Sequence, residues 1–472
     1  MKYISTRGNA PVLEFDDVLL SGLARDGGLY VPESWPQLSP EEIRALKGLS
    51  YTDLAYQIIK RFVGDTVGDT DLKRIVANAY SNFDVEDVAP IKKIGDNEYL
   101  LELFHGPTLA FKDMAMQFLG PMFDHVLKTK DQRVTIVGAT SGDTGSAAIE
   151  ACRDRDNIDI FILYPDGRVS DVQRRQMTTV DAPNVHCIAV DGTFDDCQDM
   201  VKAMFNDQAF RNHHHLSAVN SINWARIMAQ IVYYFWAALK VGAPEQKVAF
   251  AVPTGNFGNV FAGYAASRMG LAVSQFIIGS NSNDILTRFI DTGEMKMSGV
   301  HPTISPSMDI QISSNFERLL FDLYGRDGAK VSTLLDDFRK NGVFSVGDAE
   351  IQRARGLIDG ARFDDTQTMA VIKTVYDQCG ELLDPHSAIG VAAGRAKRRD
   401  PSVPMIELAT AHPAKFPDAV SKASGITPNA PSRLANLLSK PERVDHLAND
   451  LATIQGFIHK TLSSDNQDGP SA

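Results

Sequence analysis

The chain has 472 residues, is 44% hydrophobic and 22% charged, and carries a formal net charge of −12. The length predicts two or three domains, and the composition excludes a fibrous or disordered chain. The acidic balance excludes a nucleic-acid surface as the main business, so any anion site must be built locally.

Residues 1 to about 95 are expected to form an N-terminal lobe, without a signal peptide at the start. It holds a turn at Arg25-Asp26-Gly27-Gly28 and helical patterning in PEEIRALKGLSYTDLAYQIIKRFV, with Ser39 as N-cap and Pro40 in the first turn. From Gln132 an α/β rhythm begins. RVTIVGA reads as a buried strand, TSGDTG as a turn and SAAIEACRDR as a helix. IDIFILYP, SDVQRRQMTTV (capped by Ser170), VHCIAV and FDDCQDMVKAMFND continue it as strand, helix, strand and helix. A second series follows: helix NWARIMAQIVYYFWAALKVG, strand KVAFAVP, turn PTGNFGN, helix VFAGYAASRMG and strand VSQFIIGSN. PMIELAT is a last strand, entering AHPAKF. Val- and Ile-rich runs alternating with helices predict parallel sheets covered on both faces. The expected divisions are the lobe at 1–95, a small α/β domain at 96–225, a larger one at 226–440, and a C-terminal helix with a polar, disordered tail at 441–472. No stretch approaches the ~18 apolar residues of a membrane span. Cys152, Cys187, Cys197 and Cys379 show no CxxC or metal spacing and are expected as small buried hydrophobes of a reducing compartment, the cytoplasm.

Open α/β sheets bind ligands at the carboxyl ends of their strands. Four segments fall there or beside it: HGPTLAFKD, TSGDTG, PTGNFGN and TAHPAKF. In PTGNFGN, Gly255 and Gly258 let the chain approach a phosphate, and the following helix start supplies amides. The plainer alternative is a tight turn without a ligand, since neither a GK[ST] ending nor a full GxGxxG is present. In TSGDTG, Thr140, Ser141, Asp143 and Thr144 sit among glycines, and helix capping is the plainer reading. Lys112 follows a Gly-Pro turn and apolar Leu109, Ala110 and Phe111. A partly dry amine has a lowered pKa and becomes a usable nucleophile; the alternative is a snorkelling or salt-bridged lysine. No metal site is expected: Glu102 and His105 lack a second pair, and His213-His214-His215 reads as a solvated loop. Tyr233-Tyr234-Phe235-Trp236 reads as core. A lysine able to form a Schiff base and a phosphate-holding turn together point to pyridoxal phosphate, with the Thr410 hydroxyl for its pyridine nitrogen.

These motifs, in this order, resemble the threonine synthases, most closely the branch of enteric bacteria and fungi. NSIN, the early LARDGGLYVPE and the later SPSMDIQISSNFERLL and DPHSAIGVAAGRA extend the resemblance over roughly residues 1 to 425. It implies the tryptophan-synthase-β-like fold type II of pyridoxal phosphate enzymes, with two open α/β domains of parallel-rich sheets. It also implies conversion of O-phospho-L-homoserine and water to L-threonine and phosphate by γ-elimination and β-addition of water. The implied enzyme is a cytoplasmic monomer or homodimer acting on a small molecule, with no nucleic-acid or membrane partner.

Residue by residue, Lys112 matches the lysine that carries the cofactor and serves as base. Gly255, Asn256, Phe257, Gly258 and Asn259 match its phosphate loop, and Thr410 the residue facing the pyridine nitrogen. Thr140, Ser141 and Thr144, with Asn220, Ser221 and Arg226, match positions near the substrate. The planar fork of Arg226 suits the substrate phosphate, with Lys415 a candidate second cation. Asp143 stands where relatives of other activities carry an asparagine near a phenolate-like oxygen, which would repel a carboxylate. It therefore either points away or holds a loop or a proton, and Asn220 or Asn223 could serve instead. The rival readings are a serine or threonine dehydratase, a β-replacement synthase, or a non-catalytic sensor of pyridoxal phosphate or a phosphometabolite.

Overall fold

Small and aromatic residues alternate along the strand Val248–Pro253. Ala249 and Ala251 cluster with Ile277, Ala393 and Met405, while Phe250 stacks on Phe276 at 5.9 Å and meets Tyr234 edge-on at 4.7 Å. Successive strand side chains point to opposite faces. The small face thus admits the helix Pro385–Lys397, and the aromatic face receives the helix Trp224–Lys240. The expected core run Tyr233-Tyr234-Phe235-Trp236 is indeed buried.

This computed structural model describes residues 1–465, so 466–472 of the expected polar tail lie outside the described residues. The chain divides into two compact units, 1–118 with 221–430 and 119–220 with 431–472. The first carries a six-stranded sheet in the order Ile358–Arg362, Val273–Ser280, Val248–Pro253, Met405–Ala409, Glu98–Glu102, Ile91–Gly95. All neighbours are parallel except the final pair. The register pairs Pro253 with Gly279 and Ala409 with Glu102, which aligns the carboxyl ends of the parallel strands. This partition differs from the expected breaks at 95, 225 and 440. The physical reason is the pairing of Glu98–Glu102 with Met405–Ala409, which draws the Lys112 segment into the first unit.

In the N-terminal part of that unit, Ser39 and Glu42 form a reciprocal capping box at the helix Pro40–Ala45, with Pro40 in the first turn. The helix Tyr51–Val63 buries Leu54, Ile58 and Phe62 at helical spacing.

The second unit has a five-stranded, all-parallel sheet in the order Asp445–Leu447, Val185–Val190, Ile158–Pro165, Val134–Ala139, Leu216–Ser217. Val137, Phe161, Leu163 and Ile188 form its core with Met200 and Met204, and Ile454 and Ile458 of the C-terminal helix Leu451–Asp465 join them. Gly120, in the helix Lys112–Lys130, faces the Ala151 carbonyl so closely that an added Cβ would stand 2.0 Å from its oxygen. No helix of the described residues is long and apolar enough to cross a membrane. Three cysteines are buried as expected. Cys379 is exposed, because it ends the helix Asp365–Cys379 on its outer turn and is followed by the left-handed Gly380.

Candidate active site

Three neighbouring parallel strands of the first unit deliver three of the expected segments to one end of the sheet. Glu98–Glu102 leads into the Lys112 loop, Met405–Ala409 into Thr410, and Val248–Pro253 into the glycine turn. The first two loops meet in an isolated antiparallel bridge, Ala110 opposite Ala411. Phe111 N–H donates to the Thr410 carbonyl at 2.8 Å, and His412 N–H donates to the Leu109 carbonyl at 3.0 Å.

The lysine loop is held from several sides. Leu109 sits in the left-handed region at φ 60°, a conformation that a branched side chain adopts only when its surroundings impose it. Asp113, fully buried, accepts from both the amide and the hydroxyl of Thr108 at 2.7 Å. Gly106 leaves room for that carboxylate: a Cβ there would lie 2.5 Å from Asp113 Cβ. Lys112 opens its helix with only 8% of its surface exposed, its Nζ 5.0 Å from the Phe111 ring centroid. Lys415 is fully buried and donates from Nζ to the Thr108 carbonyl at 2.7 Å. Its visible work is thus to brace the loop before Lys112.

In the glycine turn, Phe257 takes φ 60° just before the helix Gly258–Arg268, whose start receives no side-chain cap. Gly255 lies against Ser307, whose carbonyl oxygen would stand 2.8 Å from a Cβ at 255. The Gly255 carbonyl accepts from the Ser313 hydroxyl at 2.9 Å, and the Asn256 carbonyl from Asn315 N–H at 3.2 Å. Asn259 is buried, and its Oδ1 accepts from the hydroxyls of Tyr233 and Tyr234 at 2.6 and 2.8 Å. Its Nδ2 has no hydrogen-bond partner among the described residues.

A buried network that sequence reasoning missed joins Thr410 to this turn. Thr410 N–H donates to Ser387 Oγ at 2.9 Å, and the Ser387 hydroxyl donates to Asp384. Asp384 also lies 2.7 Å from His386 Nδ1, while Ser307 N–H donates to His386 Nε2 at 3.3 Å. An Nε2 that accepts from an amide leaves the ring proton on Nδ1, where it donates to Asp384. The local signal was DPHS: an aspartate N-cap before proline in the first helical turn.

Arg226, in the first turn of its helix, is buried, and desolvation brings its pKa down to about 10. Ser221 lies in the segment before that helix, and its carbonyl accepts from Asn315 Nδ2 at 3.1 Å. Asn223 is the helix N-cap and donates from its amide to the Leu19 carbonyl at 2.9 Å.

The remaining expected residues belong to the second unit. Thr140 follows the strand Val134–Ala139, and its Oγ1 accepts from Gly142 N–H and Gly145 N–H at 3.0 and 2.8 Å, the second an amide in the first turn of the helix Asp143–Cys152, whose N-cap is Gly142. Ser141 is exposed and Thr144 half-buried. Asn220 follows the neighbouring strand Leu216–Ser217. Asp143 is buried, with Gln173 Nε2 donating to its Oδ1 at 2.9 Å, so it ties the turn to the next helix. Glu102 pairs with Lys92 at 2.8 Å and hydrogen-bonds His105 Nε2 at 2.8 Å.

Comparison with known proteins shows the family. Residues 2–80 match a family model described as threonine synthase N terminus, 85–338 one for pyridoxal-phosphate dependent enzymes, and 387–458 one for the threonine synthase C-terminal region. The chain is 57% identical to the threonine synthase of Pseudomonas aeruginosa, over 97% of this chain and 98% of that one. Its fold matches the crystal structure of PLP-bound threonine synthase from Brucella melitensis with a TM-score of 0.96 at 53% identity, over 98% and 99% of the two chains. The yeast threonine synthase structure matches at 0.93 and 40% identity, over 98% and 99%.

Proposed function

The chain belongs to the threonine synthase family of pyridoxal-phosphate dependent enzymes, and from that premise we propose that it converts O-phospho-L-homoserine and water to L-threonine and phosphate, with Lys112 as the catalytic residue. The observation that carries the residue assignment is the convergence of the Lys112 loop, Thr410 and the glycine turn on one end of a single sheet.

The chain's groups fit the cofactor. Asn259 Nδ2, a buried donor lacking a partner among the described residues, lies in the first turn of a helix without a side-chain cap. An anion there would satisfy both the amide and the helix-start N–H groups. In this reading residues 255–259 hold the cofactor phosphate, Lys112 carries its aldehyde carbon, and the Thr410 hydroxyl meets its ring nitrogen. When bound, pyridoxal phosphate supplies an electron sink for negative charge formed beside the substrate amine.

The protein's own groups do the rest. Lys112 Nζ takes the substrate α proton and later returns a proton as product leaves. Its burial beside Phe111 shields the amine from water. Thr410 offers a neutral hydroxyl rather than a carboxylate, which keeps the sink mild. A β C–H bond gives up its proton, the γ C–O bond breaks as phosphate leaves with the electron pair, the γ carbon takes up a proton, and the oxygen of water bonds to the β carbon while the water releases a proton. Arg226, a buried planar cation, stabilises the departing phosphate. Thr140, Ser141, Thr144, Asn220 and Ser221 are the proposed substrate contacts. Lys415 acts by fixing the Thr108 carbonyl and hence the loop. Four free thiols support a reducing compartment, the cytoplasm.

A phosphate-release assay on the purified protein with O-phosphohomoserine tests the reaction. Phosphate and threonine should form in equal amounts, and Lys112→Ala should yield neither. A coloured protein that leaves O-phosphohomoserine intact, but deaminates serine or threonine, would move the reading to a dehydratase.

A further inference from the structure

The run His213-His214-His215, expected as a solvated loop, is not one throughout: His213 and His215 are exposed but His214 is buried. His213 ends the helix Gln208–His213, and His459 lies on the C-terminal helix Leu451–Asp465 of the same unit. Ring nitrogens of His213, His214 and His459 lie within 4.8 Å of one another. His214 Nε2 and His459 Nδ1 stand 3.3 Å apart. Two nitrogens bound ~2.0–2.1 Å from one zinc ion at the tetrahedral angle are about 3.3–3.4 Å apart. This pair therefore already has the bite of a zinc site.

The scaffold around it is braced. His214 packs edge-on against Phe210 at 4.6 Å. Ile454 and Ile458 anchor the C-terminal helix in the core. Gln455, one turn before His459, donates to Asp207 at 3.2 Å, and Asp207 caps the helix that ends at His213. His213 and His459 are exposed, so an ion and a water molecule have access. Three imidazoles without a carboxylate suit a borderline transition ion and disfavour magnesium or calcium.

We propose that His213, His214 and His459 form a three-imidazole site for a zinc-type divalent ion, completed by water, which clasps the C-terminal helix to the helix Gln208–His213. The holoenzyme, stripped with a chelator, is titrated with Zn²⁺ in a calorimeter, and its melting temperature is followed with and without the ion. One Zn²⁺ per chain and a raised melting temperature are expected. The variants His213→Ala and His459→Ala change exposed residues and should keep the fold. Each loses a direct ligand and should weaken binding by more than the about 10–100-fold cost of losing an outer-shell partner. A protein that shows no saturable Zn²⁺ binding, or whose binding is unchanged when both histidines are replaced, overturns the site.

Discussion

The Asn259 amide is half satisfied: its oxygen serves two tyrosines, and its buried nitrogen has no partner among the described residues. Asn259→Asp keeps the acceptor, removes the donor and places a negative charge beside the proposed phosphate. The variant should fold but hold pyridoxal phosphate at least about tenfold more weakly, since losing a hydrogen bond to a charged group costs ~1.5–3 kcal/mol. Spectrophotometric titration of the stripped enzyme reads this directly, and wild-type affinity would refute the assignment. Ser387→Ala should destabilise the protein by about 1–3 kcal/mol in urea unfolding, because the buried Thr410 amide loses its acceptor. At this scale the sequence was legible in position: the Lys112 segment and Gly255 follow parallel strands of one sheet, as the motifs led one to expect. The partners of Lys415 and Asp143 were not legible: Thr108 lies 307 positions from the lysine and Gln173 lies 30 from the aspartate. A buried polar group declares its role through its hydrogen-bond partner, and spacing along the chain does not give that partner.

Strands and helices were the most readable elements. IDIFILYP and VHCIAV coincide with Ile158–Pro165 and Val185–Val190, because strands buried on both faces read as unbroken apolar runs. Ser39, Ser170 and Asn223 each accept a backbone N–H at their helix start. Ser39→Ala should cost about 0.5–2 kcal/mol of stability, measured by urea unfolding. Between the elements, the glycine turn is where geometry constrains most. Gly255→Ala drives a Cβ toward the Ser307 carbonyl, a rigid backbone neighbour, so the turn must move. Helix content by circular dichroism should be unchanged while cofactor retention and turnover fall together. Retention of both would show that the turn has slack. The burial of His214 was not legible, because His459 stands 245 positions from it and only packing of the C-terminal helix brings them together.

Across the whole molecule, the domain boundaries were the least legible feature. Both units are discontinuous in sequence, since parallel neighbours such as Glu98–Glu102 and Met405–Ala409 are distant along the chain. The sheet of the first unit also buries a carboxyl group. Glu407 is fully buried in its strand, and Gly394 makes room for it. Burial, with the neighbouring charge of Glu98, holds its pKa well above the ordinary 4.5. Above that ordinary value the native state keeps a proton that the unfolded chain releases, so stability falls as pH rises toward the folded pKa. Glu407→Gln should remove this slope. Urea unfolding at about pH 5 and about pH 8 should show the wild type losing stability relative to the variant, and parallel behaviour would mean the carboxyl group titrates normally.

Much of the functional account depends on one amine. Borohydride reduction of the holoenzyme makes a lysine-bound aldehyde permanent, and proteolysis with mass spectrometry then identifies the modified residue. A single phosphopyridoxyl peptide containing Lys112 is the expected result. Modification of a different lysine, with the Lys112 peptide unmodified, would contradict the proposed site.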